Sequence, residues 1–188
     1  EGSNCGLVKN LALSAIISVN VPSEDIIEKL YDLGATYVSD AKDELKKEGT
    51  RVFVDGRLIG YFKDGQKLVD SLRDLRRNFK IHPHVGIFLY QSSFEGSTKR
   101  LYVNCNAGRV LRPLIVIKDN KILLTQELID KVSKKFLSWT DLLHMGIIEL
   151  VDANEEENSY IAIDETDIKK HTHMEVFPSA ILGAGASI

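Results

Sequence analysis

The sequence has few of the residues that cross-link a chain or carry it through a membrane. It contains 2 cysteines, 4 prolines and 1 tryptophan, and none of its apolar runs reaches the roughly 18 residues that a membrane-spanning helix needs. The two cysteines, Cys5 and Cys105, cannot form a disulfide framework, and no paired-cysteine motif indicates structural zinc. We therefore expect a soluble chain from a reducing, intracellular compartment.

An excess of charge of either sign is also missing. The 188 residues carry 24 Lys and Arg against 27 Asp and Glu, which gives a formal net charge of −3. This balance argues against a strongly basic nucleic-acid-binding arm, and a hydrophobic content of 44% excludes a disordered chain. At about 150 residues per domain, the length predicts one or two domains with a sizeable core.

Local patterns predict an α+β fold of mixed, largely antiparallel strands and hairpins with short helices, in two small subdomains. The strongest signal is Asp55-Gly56 between two β-rich runs, which is typical of a type I′ hairpin turn. Apolar patterning predicts further strands at 12–21, 85–90, 100–104, 110–117, 147–151 and 160–163, the last two paired with each other. It predicts helices at 23–33, 64–79, 125–136 and 141–145, with Ser23, Thr125 and Thr140 as caps.

The second half of the helix at 64–79 is basic and is the first candidate site. Its cations could contact phosphate groups or a partner, because phosphates favour clustered positive charge. These cations are Arg73, Arg76, Arg77 and Lys80. The alternative is a solvated helix face on which Asp70 and Asp74 are their intrahelical partners. The charge pattern favours the solvated face, since such patterns mark exposed surfaces.

Histidines in two short segments are the second candidate. If 171–175 forms a strand, His171, His173 and Glu175 lie on one face and could converge on a metal ion. The same alternation is typical of a half-exposed strand, and no fourth ligand is visible, so we assign no metal site. His82 and His84 flank a proline, and two histidines alone indicate polar surface rather than a site.

A bend rich in glycine and arginine precedes the strand at 110–117. Gly108 indicates a bulge or tight turn, and the planar forks of Arg109 and Arg112 could clamp carbonyls or carboxylates, or bind phosphate. The chemistry gives these two roles equal weight. The acidic run at 155–157 lacks the spacing and the glycine of a calcium loop, so we interpret it as a solvated loop. No nucleophile motif, P-loop or dinucleotide fingerprint is present in the sequence.

Several segments, taken together and in order, resemble one protein family. They are Glu1-Gly-Ser-Asn-Cys-Gly-Leu-Val-Lys-Asn-Leu11, Arg51-Val-Phe-Val-Asp-Gly56, Leu72-Arg-Asp-Leu-Arg-Arg77, Asn106-Ala-Gly-Arg-Val-Leu-Arg-Pro-Leu114, Trp139-Thr-Asp-Leu-Leu143, Ile148-Glu-Leu-Val-Asp-Ala153 and His171-Thr-His-Met-Glu-Val-Phe-Pro-Ser-Ala-Ile-Leu-Gly183. They are similar to the second-largest subunit of multisubunit DNA-directed RNA polymerase in its archaeal and eukaryotic form. The short connection before His171 resembles the archaeal form more closely.

The resemblance implies a division of the chain into four segments. Residues 1–48 would be the end of the fork region with a connecting helix, 49–118 the first external domain, 119–170 the second, and 171–188 the start of the hybrid-binding region. The residues that it implies to be architectural are Gly108, Arg109, Arg112 and Pro113. Those that it places near nucleic acid are Glu1, Ser3 and Asn4.

The resemblance also implies an activity for the whole complex, which is DNA-templated RNA synthesis by nucleotidyl transfer with two metal ions. The family binds its Mg²⁺ through residues outside this stretch, so we expect no cofactor in this chain and no catalysis by the chain alone. The implied partners are other polymerase subunits, including the largest one, together with template DNA and RNA. The implied location is cytoplasmic for an archaeal-like protein and nuclear for a eukaryotic one, with no membrane partner.

Two hypotheses follow for the role of the chain. The first is a structural fragment of the polymerase subunit, which the resemblance implies and which the start at Glu1 rather than Met and the apolar last residues favour. The second is a free-standing module that binds nucleic acid or protein through the basic helix from Arg73 to Lys80. The first expectation rests on several independent motifs, whereas the second rests on one charge pattern.

Overall fold

A computed structural model of the chain describes residues 11–91 and 98–177. The strands are β1 (Ile16–Ile17), β2 (Thr36–Tyr37), β3 (Thr50–Val54), β4 (Arg57–Phe62), β5 (Gly86–Tyr90), β6 (Arg100–Asn104), β7 (Val110–Lys118), β8 (Lys121–Ile122), β9 (Ile148–Asp152), β10 (Ile161–Ala162) and β11 (His173–Glu175). The helices are α1 (Ser23–Asp32), α2 (Asp43–Glu48), α3 (Gly65–Arg77), α4 (Gln126–Ser133), α5 (Trp139–His144) and α6 (Ala153–Glu156), with a 3₁₀ turn at Glu165–Asp167. Short helices with mostly antiparallel strands confirm the predicted α+β class.

The described residues form two compact units, one from residues 19–107 and the other from residues up to 18 and from 108 onwards. The first unit is built on a five-stranded sheet in the order β2-β4-β3-β6-β5. β3 and β4 form the predicted hairpin, and Asp55 and Gly56 take φ angles of 47° and 79° in its turn, as a type I′ turn requires. β3 pairs in parallel with β6, whereas the other pairings in this sheet are antiparallel.

Strand alternation and two amphipathic helices produce the core of this unit. Alternate residues of β3 and β6 are buried and join apolar side chains of α1 and α3 in one cluster, which includes Ile26, Leu30, Val52, Val54, Leu68, Leu72, Leu101 and Val103. α3 begins where Asp64 accepts hydrogen bonds from the backbone N–H groups of Gln66 and Lys67, at 3.1 and 3.3 Å. α1 ends before Gly34, whose φ of 100° is the left-handed conformation of a terminal glycine.

The second unit is built around β7, a nine-residue strand that is buried from Leu111 to Ile117. β7 pairs in antiparallel fashion with β1, β8, β9 and β11 at different positions along its length. Pro113 lies between the stretch of β7 that pairs with β1 and the stretch that pairs with β11. Because proline cannot donate to a ladder, such an interruption is a position that a strand tolerates.

Two predictions about the strands are wrong. The strand predicted at 147–151, which is β9, pairs with β7, and β10 pairs in parallel with β11, so the two expected partners do not pair with each other. The strand predicted at 12–21 is only Ile16–Ile17. The Ala15 N–H turns back to the Ala12 carbonyl at 3.1 Å, so the residues before β1 form a turn. Alternation predicts which face a residue occupies but does not specify its partner strand.

The helix caps also differ from the predicted ones. The N-cap of α1 is Pro22 rather than Ser23, whereas Thr125 is the N-cap residue of α4 as predicted but makes no capping side-chain hydrogen bond. At α5 the cap is Ser138 rather than Thr140. The Ser138 hydroxyl accepts from the Asp141 N–H, and the Asp141 carboxylate accepts from the Ser138 N–H, which forms a capping box. These hydrogen bonds from Ser138 lower the pKa of Asp141.

Within residues 11–91 and 98–177, none of the helices is long and apolar enough to cross a bilayer. The division of the chain into four segments stays a prediction. The two compact units nevertheless position the candidate residues, because each has its own sheet and its own apolar clusters.

Candidate functional site

The predicted bend before β7 is held by reciprocal hydrogen bonds to Ser18. The Gly108 N–H donates to the Ser18 carbonyl at 3.1 Å, and the Ser18 N–H donates to the Arg109 carbonyl at 2.8 Å. The Arg109 N–H donates to the Ser18 hydroxyl at 2.9 Å. Gly108 has a φ of 86°, and a Cβ there would meet nothing within 4 Å, so the left-handed backbone rather than crowding favours glycine.

The side chain of Arg109 connects this bend to the start of α6. Its Nη1 lies 2.6 Å from Oδ2 of Asp152, which is 4% exposed. The other oxygen of Asp152, Oδ1, accepts the backbone N–H of Glu155 at 2.9 Å and caps α6. One carboxylate therefore both neutralises an arginine and satisfies a helix N-terminus.

Arg112 forms a second bridge, between β7, α6 and β11. Its Nε lies 2.5 Å from Oε1 of Glu156, and its Nη1 lies 2.5 Å from Oε1 of Glu175. Burial alone would lower the pKa of Arg112, but the hydrogen bonds and negative charges of Glu156 and Glu175 outweigh burial and raise it. The guanidinium thus remains charged and joins three elements through one planar fork.

A buried histidine and a buried glutamate pair across the same sheet. Nε2 of His173 lies 2.9 Å from Oε2 of Glu149, and both side chains are almost completely buried. Nδ1 of His173 lies 2.9 Å from the hydroxyl of Thr172, so both ring nitrogens have polar partners. Glu149 and Glu175 both lie opposite Leu114 on β7, which puts them in one row of the sheet.

The side chains considered for a metal site do not converge. His173 contacts Glu149, Glu175 contacts Arg112, and the ring of His171 lies 3.1 Å from the Lys169 carbonyl oxygen. In the part of the chain that the structure describes, no group of three or more His, Cys, Asp or Glu residues could hold a metal ion. His173 and Glu175 instead make pairwise contacts across the sheet.

The basic helix places its cations in different surroundings. Arg76 is 2% exposed, and its Nη1 donates to the Val85 carbonyl at 2.7 Å, so this guanidinium holds the segment after α3. Arg73 and Arg77 are half-buried, and Lys80 is exposed. Contact of the helix with phosphate or with a partner stays a prediction.

His82 and His84 organise the turn between α3 and β5. The His84 N–H donates to Nδ1 of His82 at 3.1 Å, and the Val19 N–H donates to Nδ1 of His84 at 3.1 Å. Their rings meet edge to face, with centroids 4.8 Å apart. Burial lowers the pKa of His82, which favours the neutral ring that can accept a hydrogen bond.

The acidic run at 155–157 is not the solvated loop that we predicted. Glu155 is completely buried in α6 and Glu156 pairs with Arg112, so Glu157 alone of the three is exposed. The sequence pattern did not reveal Asp152 and Glu149 as partners of Arg109 and His173. A charged residue inside the apolar run from Ile147 to Val151 was the available signal, because a buried carboxylate requires a partner. Glu1, Ser3 and Asn4 lie outside the described residues.

Arg109 and Arg112, with Asp152, Glu156 and Glu175, form an arginine-carboxylate network whose geometry indicates a structural role. Arg109 and Arg112 contact carboxylates, and Asp152 also binds a helix N-terminus, so these groups are engaged in holding β7, β11 and α6. The positive charge of an arginine that pairs with two carboxylates is neutralised, so this arginine attracts phosphate only weakly. The network therefore supports a structural role for the bend.

Comparison with protein families matches two parts of the chain. The family described as RNA polymerase Rpb2, domain 4, matches residues 52–118, and the family described as RNA polymerase Rpb2, domain 5, matches residues 139–179. Together the two matches include the arginine bend and most residues of the network. They cover more than half of the 188 residues.

Individual relatives align with the whole chain. DNA-directed RNA polymerase subunit Rpo2 of Sulfolobus acidocaldarius is 38% identical over 199 residues, covering 100% of this chain and 17% of the relative. Rpo2 of Saccharolobus solfataricus is 40% identical with the same coverage, and DNA-directed RNA polymerase II subunit RPB2 of Encephalitozoon cuniculi is 36% identical. The chain thus spans 17% of the length of these relatives. The chain belongs to the family of the second-largest subunit of DNA-directed RNA polymerase and corresponds to a part of that subunit.

Proposed function

We propose that the chain is a structural part of a DNA-directed RNA polymerase and does not by itself form the reactive centre. The observation that carries this proposal is the use of Arg109 and Arg112 as bridges between elements. Charged groups that already satisfy one another stabilise a scaffold, and a reactive site needs groups that remain available to substrate. The relatives are polymerase subunits, which supports assembly with other subunits, the largest one included.

The Mg²⁺ of the whole polymerase would be held by residues outside the described part of this chain. When bound, such ions would polarise phosphoryl oxygens and stabilise the attacking and leaving oxygens of nucleotidyl transfer. In support of this, the described residues include no group of three or more His, Cys, Asp or Glu side chains that could hold a metal ion. The role of this chain in the reaction would then be to support neighbouring parts of the enzyme.

Template DNA and RNA would be partners of the whole complex. The resemblance puts Glu1, Ser3 and Asn4 near nucleic acid, so the segment at 1–10 is where this chain would approach the hybrid. Cellular location would follow that of the complex, which is the cytoplasm for an archaeal-like polymerase and the nucleus for a eukaryotic one.

An RNA-synthesis assay tests this function. The 188-residue chain, incubated with a primed template, nucleotides and Mg²⁺, is expected to extend no RNA, whereas a complete polymerase extends it under the same conditions. In a polymerase reconstituted from its subunits, Arg112→Met in this stretch should lower the yield of assembled enzyme but leave the rate per assembled enzyme unchanged. RNA synthesis by the chain alone, or a lower rate without a loss of assembly, would contradict the proposal.

A further inference from the structure

The five-stranded sheet of residues 19–107 has two faces of opposite character. One face carries the buried positions of β3, β5 and β6 and belongs to the apolar core that includes side chains of α1 and α3. The alternating positions point the other way, since successive residues of a strand face opposite sides. This second face, called here the outer face, consists of the residues at alternate positions such as Phe53, Phe88 and Tyr102.

Three aromatic rings form a row across the outer face. Tyr102 on β6 lies opposite Phe53 on β3 and opposite Phe88 on β5. The centroid of Tyr102 is 5.2 Å from that of Phe53 and 6.3 Å from that of Phe88, with interplanar angles of 20° and 21°. All three rings are half-buried, and none belongs to the apolar core cluster of the described residues. Cross-strand contacts between aromatic rings stabilise a sheet, and a contiguous apolar patch outside a core is also a feature of interaction surfaces.

A second row, two residues further along the strands, carries positive charge. Arg51 on β3 lies opposite Arg100 on β6, and the row continues to the exposed Tyr90 on β5 and to Tyr61 on β4, which is buried. Among the described residues, neither arginine has an ion-pair partner, and the buried Nε of Arg51 has no hydrogen-bond acceptor. Neither row contains a carboxylate. Like charges on adjacent strands repel each other, and an anion shared between them would relieve this repulsion.

We propose that the outer face binds single-stranded nucleic acid. Bases would stack against the row of Phe53, Tyr102 and Phe88, and the phosphate backbone would follow Arg51 and Arg100. Aromatic rows on open sheets with adjacent arginines are suited to unpaired bases, because every base has a π-face and the guanidinium binds phosphate. A duplex keeps its bases stacked, and an acidic peptide has no bases for the rings. This site goes beyond the proposed structural role and does not depend on it.

Fluorescence anisotropy with the full 188-residue chain tests the site, using a short labelled oligouridine and a duplex of the same length as probes. The oligouridine is expected to bind more tightly than the duplex. Tyr102→Leu should raise its dissociation constant about tenfold, because base stacking on one ring is lost. Tyr102→Phe keeps the ring and should bind as the wild type does, which separates stacking from a general loss of structure.

The arginine row has its own matched variants. Arg100→Gln should weaken binding and reduce the slope of log affinity against log salt by about 0.7, the value for one phosphate contact on a single strand. Arg57→Gln removes an exposed arginine of β4 outside both rows and is the control for net charge.

Equal effects of the two arginine variants, equal binding of the duplex, or an unchanged affinity in Tyr102→Leu would overturn the proposal. Polyglutamate binding with the same dependence on Tyr102 and Arg100 would assign the face to acidic peptides instead. Each of these outcomes leaves the result of the RNA-synthesis assay unaffected.

Discussion

Single residues of this protein differ in their energetic importance according to their burial rather than their contact distances. Lys131 and Glu127 form an ion pair of 2.6 Å on the exposed surface of α4, and Arg112 forms its two pairs at 2.5 Å with a side chain that is 11% exposed. Water and salt screen the exposed pair, so its contribution to stability is small. Of its partners, Glu175 is largely shielded from water whereas Glu156 is 32% exposed, so loss of the arginine would leave mainly the Glu175 charge without compensation.

Substitution of Arg112 by lysine measures this difference. An ammonium group cannot reproduce the planar fork that contacts Glu156 and Glu175 together, so Arg112→Lys should lower the free energy of unfolding by about 2 kcal/mol. Lys131→Gln, which breaks only the exposed pair, is the control and should leave the free energy of unfolding nearly unchanged. Urea titrations followed by circular dichroism give both values. Equal losses of unfolding free energy in the two variants would show that the Arg112 bridges stabilise the fold no more than the exposed pair does.

At the scale of secondary-structure elements, close approach of backbones limits the sheet of residues 19–107. β2 contributes two residues that pair with β4, and a Cβ on Gly60 would lie 2.3 Å from the carbonyl oxygen of Thr36. Such a contact involves backbone on both sides, so no rotamer change can relieve it. Gly56 in the hairpin turn has open space around it, and only its φ of 79° favours glycine.

The two glycines provide a matched pair of variants. Gly60→Ala should lower the free energy of unfolding by about 2–3 kcal/mol, because β2 must separate from β4 to admit the methyl group. Gly56→Ala should lower it by about 1 kcal/mol, the cost of a left-handed conformation at a residue with a Cβ. The measurement is thermal or urea unfolding of both variants beside the wild type. A larger loss of stability in Gly56→Ala than in Gly60→Ala would show that β2 can move away from β4 at little cost in free energy.

On the scale of the whole molecule, the two compact units differ in how many segments of the chain form them. One unit is continuous from Val19 to Ala107, whereas the other combines residues before and after it. The continuous unit has a large apolar cluster of its own, while the described part of the other has smaller clusters and depends on β1 and Ser18 for contacts with β7 and the bend.

Expression of residues 19–107 alone tests the independence of the continuous unit. We expect this fragment to fold, because its core and its sheet are complete within one segment of chain. A dispersed amide spectrum by nuclear magnetic resonance and a cooperative urea transition would confirm this. Residues 108–188 alone lack β1 and Ser18 and should be less stable, so they are the comparison. Collapse of the 19–107 spectrum into the range of an unfolded chain would contradict the expectation.

The sequence by itself determined the local structure and the family of this protein. Asp55-Gly56 specified the hairpin, apolar periodicity specified α3, and Gly34 specified the end of α1, because each depends on neighbours within a few residues. The motifs along the chain, those of the arginine bend among them, likewise identified the polymerase family to which the relatives belong.

Only the tertiary structure decided which distant residues meet. Arg112 and Glu175 are separated by 63 positions, and the pairing of β9 with β7 rather than with β10 follows from packing around a shared central strand. The row of Phe53, Tyr102 and Phe88 could not be predicted from the sequence either. These rings align only because β3, β6 and β5 pair in the register that places them opposite one another. Periodicity specifies the face on which a side chain lies, and burial of the whole sheet then selects what lies opposite.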